Sequence, residues 1–110
     1  MQRQYRLKSN AAFNYVYRKG ESVANGHMVL IFCKTRRPMQ IGFSVSKKVG
    51  GSVVRNRVKR LLREAFTQLI PSVDGGFNYV VVARQGIVGL SYADVGKSLN
   101  SLLKRAGKLK

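Results

Sequence analysis

Lys47-Lys48-Val49-Gly50-Gly51-Ser52-Val53-Val54-Arg55-Asn56-Arg57-Val58-Lys59-Arg60-Leu61-Leu62-Arg63-Glu64-Ala65-Phe66 is the stretch around which the rest of the chain is read. Between Lys47 and Arg63, seven of seventeen residues are Lys or Arg and none is acidic. Gly50-Gly51 interrupts the charge, and beyond it apolar residues return at helical spacing. At about 100° per residue, Val54, Val58, Leu61, Leu62, Ala65, Phe66 and Leu69 fall in one arc. Arg55, Lys59 and Arg63 follow one edge of that arc at i, i+4 and i+8. Asn56 and Arg60 lie beside them, and Arg57 points to the other edge. The pattern predicts a helix from near Ser52 to just before Pro71, apolar on the back and cationic on the front. A merely solvated face would intersperse Glu, and only Glu64 is present. Steps of about 6 Å along the cationic edge match successive phosphates of a strand, and arginine adds bidentate phosphate contacts.

Upstream, Gln40–Ser46 alternates as a strand does: Ile41, Phe43 and Val45 face one way, Gly42, Ser44 and Ser46 the other. Met28–Lys34 is apolar on both alternations and reads as an inner strand. Thr35-Arg36-Arg37-Pro38 between them reads as a basic hairpin connection. Glu21–Asn25 fits a short strand, with Asn25-Gly26 as a turn. Met1–Lys8 is basic and reads as extended. Ser9 or Asn10 caps a helix that runs to Lys19 and stops at Gly20; Phe13 and Tyr17 share one of its faces. Downstream, Asp74-Gly75-Gly76 is a loop, Tyr79–Ala83 a strand and Gln85–Leu90 a loop. Ser91 caps a last helix with Val95, Leu99, Leu102 and Leu103 inward. The expectation is a single α+β domain over residues 1–110, with one sheet and helices mainly on one face.

The chain carries 21 Lys+Arg against 4 Asp+Glu, a formal charge of +17. Solubility asks only about 2–8 charges of a small domain, so the excess points to a polyanion. No stretch reaches the ~18 apolar residues of a membrane span, no signal or lipidation motif is present, and no obligatory protein partner is evident. Nucleic acid is therefore the expected partner. The lone Cys33, in an apolar run, reads as a buried thiol in a reducing compartment. A nuclease site of its own would need clustered carboxylates or paired histidines. Four scattered acids and one histidine, His27, supply neither. Gly50-Gly51 can offer backbone N–H groups to a phosphate, but the P-loop spacing is absent. Phe13 and Tyr17, if they meet Ser44 and Ser46 at the sheet edge, form a groove suited to single-stranded RNA, which stacks on aromatics with cations along its backbone. Core packing is the alternative for this pair.

Gly42-Phe43-Ser44-Val45-Ser46-Lys47-Lys48-Val49-Gly50, followed by Val53-x-Arg55-Asn56-Arg57-Val58-Lys59-Arg60-x-x-Arg63-Glu64, resembles the signature of the bacterial ribonuclease P protein component. Arg55-Asn56-Arg57 corresponds to that family's named motif. Arg6-Leu7-Lys8, Phe13 and Ser22-Val23-Ala24 extend the resemblance toward the start. It implies the fold α-β-β-β-α-β-α, with the basic helix in a left-handed crossover between parallel strands, against the usual hand. It further implies a cytoplasmic subunit of a ribonucleoprotein that hydrolyses precursor tRNA to remove its 5′ leader. The RNA subunit would carry the active site and its Mg²⁺, with none held by protein side chains. By position, Arg55, Asn56, Arg57, Lys59, Arg60 and Arg63 would contact RNA, supported by Lys47, Lys48 and the Gly50-Gly51 backbone. Phe13 and Tyr17 would line a leader cleft with Ser44 and Ser46. Ile31 or Phe32 would supply the aromatic position on the strand, and Phe32 is the aromatic of the two. Ser52 stands where the family often has alanine and is expected to cap the helix. Two rivals share parts of this pattern: a structural RNA-binding protein, and an autonomous nuclease.

Overall fold

The structure is a computed structural model describing residues 1–110. Its main elements are α1 (Asn10–Lys19), β1 (Glu21–Ala24), β2 (Met28–Lys34), β3 (Ile41–Ser44), α2 (Ser52–Leu69), β4 (Phe77–Ala83) and α3 (Tyr92–Arg105). Short 3₁₀ turns occupy Arg3–Tyr5, Ile70–Ser72 and Gln85–Ile87. The α-β-β-β-α-β-α order is the one expected.

The four strands form one mixed sheet in the order β1-β2-β4-β3. β1 and β4 both pair antiparallel to β2, whereas β3 runs parallel to β4. The connection after β2 is therefore not a hairpin, because β4 sits between β2 and β3. The β-branched run of β4 explains this. Tyr79, Val80, Val81 and Ala83 are all buried, Tyr79, Val80 and Val81 with no exposed surface, and a strand buried on both faces belongs in the sheet interior.

The two faces carry different cores. One buries Met28, Leu30, Phe32, Ile41, Tyr79 and Val81 against Val58, Leu62 and Phe66 of α2 and Val95, Leu99, Leu102 and Leu103 of α3. The other is smaller: Leu7, Val16, Cys33 and Val80, with Ala12, Phe13, Ile31 and Val82 packed around them. Two helices thus share one face, and α1 covers the other alone. The buried apolar arc of α2 is the one its periodicity predicts. Ser9 Oγ accepts from Ala12 N at 3.1 Å and Ser91 Oγ from Asp94 N at 3.1 Å, capping α1 and α3 as expected. At α2 the cap is Gly51, without a side-chain hydrogen bond, and Ser52 is the first helical residue.

The ends of the chain are tied in. After its 3₁₀ turn the first segment is extended, and Leu7 N donates to Ile41 O at 3.0 Å, beside a parallel bridge from Arg6 to Ile41. This covers the start of the free edge of β3. At the other end, Asp74 N donates to Lys108 O and Lys110 N to Ser72 O, while Lys108 Nζ lies 3.8 Å from the centre of the Phe77 ring. The buried Tyr79 hydroxyl donates to Asp74 O at 2.7 Å. Burial, reinforced by the Asp74 carboxylate, holds its pKa well above the usual tyrosine range. Ser98, buried on α3, takes a hydrogen bond from Asn25 Nδ2 at 2.7 Å and lies 3.1 Å from His27 Nδ1, so this polar group fastens α3 to the β1–β2 turn.

Candidate nucleic-acid interface

Between α1 and β3 runs an open groove, with α2 closing its far side. Its lining combines Asn10, Phe13, Asn14 and Tyr17 of α1, Phe43 and Ser44 of β3 with the following Val45, and Lys59 of α2. β3 is the edge strand, which is why residues from both sheet faces reach one groove around it. The rings of Phe13 and Tyr17 lie 6.4 Å apart, tilted by 37°.

Gly42 fixes the Phe13 ring. A Cβ at this position would overlap the ring, standing 2.6 Å from its Cε1 and 3.2 Å from Leu7 Cδ2. The missing side chain lets the ring rest on the β3 backbone, partly packed and partly in the groove. Tyr17, one turn on, is 41% exposed and offers its ring to solvent. Core and groove thus divide the aromatic pair.

Along α2, Arg55, Lys59 and Arg63 are half-buried, while Asn56, Arg57 and Arg60 are exposed. Long stems can cover apolar surface while their charged heads stay at the rim. Arg55 Nε is buried without a hydrogen-bond partner. Lys47 and Lys48 are exposed on a turn closed by Val49 N donating to Ser46 O at 3.1 Å. Gln85 Nε2, in the 3₁₀ turn that follows β4, donates to Lys48 O at 2.8 Å and anchors the Lys47-Lys48 turn. Gly50 packs against Val54, where a Cβ would come within 2.9 Å of the valine Cβ.

The groove gathers Phe13, Tyr17 and Ser44 but neither of the other two cleft candidates. Phe32 lies on the opposite sheet face, only 6% exposed, edge-on to Phe77 at 6.1 Å. Strand alternation is the reason: Ile31 and Cys33 face α1, so Phe32 must face α2 and α3. Ile31 packs beneath α1 and does not border the groove. Ser46 has the right parity, but β3 ends at Ser44, and Ser46 instead lies exposed in the turn. Asn10 and Asn14 were missed as groove residues, although their i, i+4 spacing beside Phe13 and Tyr17 was there to be read. That Lys59 joins the groove follows from the β3–α2–β4 crossover, which periodicity does not report.

The sequence model of the family described as Ribonuclease P matches residues 1–107. The chain belongs to the ribonuclease P protein family. The ribonuclease P protein component of Geobacillus kaustophilus (strain HTA426) is 44% identical over 114 residues, covering 100% of this chain and 93% of that protein. The RNase P protein of Staphylococcus aureus matches in structure with a TM-score of 0.88 at 36% identity, over 96% of this chain and 98% of that one. The RNase P protein from Thermotoga maritima gives 0.83 at 30% identity, over 91% and 96%. As a family member, the chain is the protein subunit of an RNA–protein endoribonuclease that processes the 5′ end of tRNA. Its partners are the ribonuclease P RNA and precursor tRNA, and catalysis by the RNA is consistent with the family. No helix is long and apolar enough to cross a membrane.

Proposed function

We propose that residues 1–110 act as one RNA-binding domain in the cytoplasm, docking α2 on the catalytic RNA and holding the single-stranded 5′ leader of precursor tRNA in the α1–β3 groove. The observation that carries this reading is the joint lining of one groove by Tyr17, Phe13, Ser44 and Lys59. An exposed ring stacks on any base, and a cation beside it meets the phosphate, so such a groove grips a single strand with little regard to sequence. Arg57, Arg60 and Asn56, exposed on α2, face outward to the structured RNA, with Lys47 and Lys48 extending that surface. Arg55 and Arg63 stand one turn to either side of Lys59 and extend its cationic row along α2. The unpartnered Arg55 Nε suits this role, because an unsatisfied buried donor costs about 1–3 kcal/mol and a phosphate offers acceptors if the guanidinium turns toward it.

The protein's contribution is positioning. Leader held in the groove adds binding energy remote from the scissile bond, and cations on α2 lower the repulsion between substrate and catalytic RNA. Mg²⁺, held by the catalytic RNA, would supply water activation and stabilisation of the developing charge. No protein side chain is assigned to hydrolysis. Reconstitution tests the reading. Ribonuclease P RNA at low Mg²⁺ is expected to cleave precursor tRNA only when this chain is added, and the chain alone to cleave nothing. Tyr17→Ala in that holoenzyme is expected to weaken binding of leader-bearing substrate by about 5- to 150-fold and leave mature tRNA binding unchanged. Equal losses for both RNAs would assign Tyr17 to packing.

A further inference from the structure

The other flank of α1 carries a second aromatic–cationic surface that the groove does not use. Tyr15 lies about 160° around the helix from both Phe13 and Tyr17, and it is 52% exposed. It borders a hollow with Lys34, Arg36, Arg37 and Asn78, floored by Cys33. The three cations are exposed on the segment leaving β2. That segment is pinned rather than loose: Thr35 N donates to Gly76 O at 2.9 Å and Arg37 N to Thr35 Oγ1 at 3.1 Å.

A run of neighbouring depressions leads from this hollow toward the α1–β3 groove. Arg37 and Asn78 also border the next depression, which Gln4 and Gln40 share. Gln4 and Gln40 in turn border a third, with Arg3, Lys8 and Ser9. Ser9 adjoins Asn10, which lines the groove itself. The path rounds the N-terminus of α1, the positive end of its dipole. Lys59, Lys8, Arg3, Arg37, Arg36 and Lys34 mark it in order, and no carboxylate lines any part of it. A ring stands at each end with cations between, which is the arrangement a single strand requires.

We infer that a 5′ leader longer than the Phe13–Tyr17 groove continues round the N-terminus of α1 and stacks an upstream base on Tyr15, its phosphates held by Lys34, Arg36 and Arg37. This rests on the leader reading of the groove. Because α2 joins the groove through Lys59 and faces the catalytic RNA, the Tyr15 end is the one farther from the cleavage site and takes the upstream nucleotides.

The test uses reconstituted holoenzyme and precursor tRNAs whose leaders are lengthened one nucleotide at a time. The wild type is expected to gain affinity in two steps as the leader grows. Tyr15→Ala and the pair Arg36→Glu, Arg37→Glu are expected to abolish the second step, roughly tenfold, and to leave short-leader substrates unaffected. Tyr15→Phe is expected to retain it. Loss at every leader length, or no loss at any, would overturn the proposal. So would weakened binding of the variants to the catalytic RNA alone, which would assign the surface to that RNA. Tyr17→Ala separates the two readings. If it loses affinity in proportion to the leader while Tyr15→Ala does not, only the extension fails. If Tyr17→Ala shows no leader dependence, the groove itself has been misread.

Discussion

At position 42 the absence of a side chain decides where an aromatic ring goes. Phe13 rests on the bare backbone there, and any Cβ would drive it outward. Gly42→Ala is expected to destabilise the fold by about 1–3 kcal/mol, as overpacking does, and to narrow the groove. Urea unfolding with leader-binding titration checks both effects. Tyr17→Ala, at an exposed position, should cost less than about 0.5 kcal/mol of stability. Loss of leader affinity with full stability at 17, and loss of both at 42, would distinguish recognition from support. The sequence showed Phe13 and Tyr17 on one helical face and Gly42 on the small face of its strand. It did not show that the ring fills the space glycine leaves. The side on which Phe32 lies is hidden for a related reason: both faces of β2 are apolar, so alternation alone cannot say which face meets α1.

An element such as α2 is more legible. Its apolar arc, its length and its cationic edge all followed from period, because burial and helix geometry share one repeat. Its cap did not follow. Ser52 has a capping side chain, yet Gly51 takes the position, since Gly50 is pressed against Val54 and sets where the chain turns into the helix. The two cationic rows of this helix make separable predictions. Arg57→Ala is expected to reduce the salt dependence of catalytic-RNA binding by about 0.7–0.9 in log–log slope, one phosphate's worth. Lys59→Ala is expected to do the same for a leader oligonucleotide. Circular dichroism should find both variants equally helical. Slopes that do not move would mean that neither row touches phosphate.

Over the whole molecule, a charge of +17 is held within a radius of gyration of 12.8 Å. Sulfate or phosphate is therefore expected to bind the native state and raise Tm by several degrees, since a ligand at 100 times its Kd adds about 2.7 kcal/mol. A thermal melt in sulfate, against chloride of equal ionic strength, checks this. Global strand order is where the sequence was least legible. Local pattern names the strands, but pairing β4 between β2 and β3 depends on which strand is apolar on both sides and long enough to be enclosed. That order also has a consequence for how the chain is made. Residue 34 and residue 77, neighbours across β2 and β4, are separated by the whole of β3 and α2. At ribosomal rates of about 5–20 residues per second, roughly 2–9 s pass between their synthesis. During that interval β2 has only β1 to pair with, and the most basic helix of the chain is made before β4, the interior strand of the sheet it packs on. For those seconds the cations of α2 belong to a chain whose core is unfinished, so the strand order makes the charge before the scaffold that presents it.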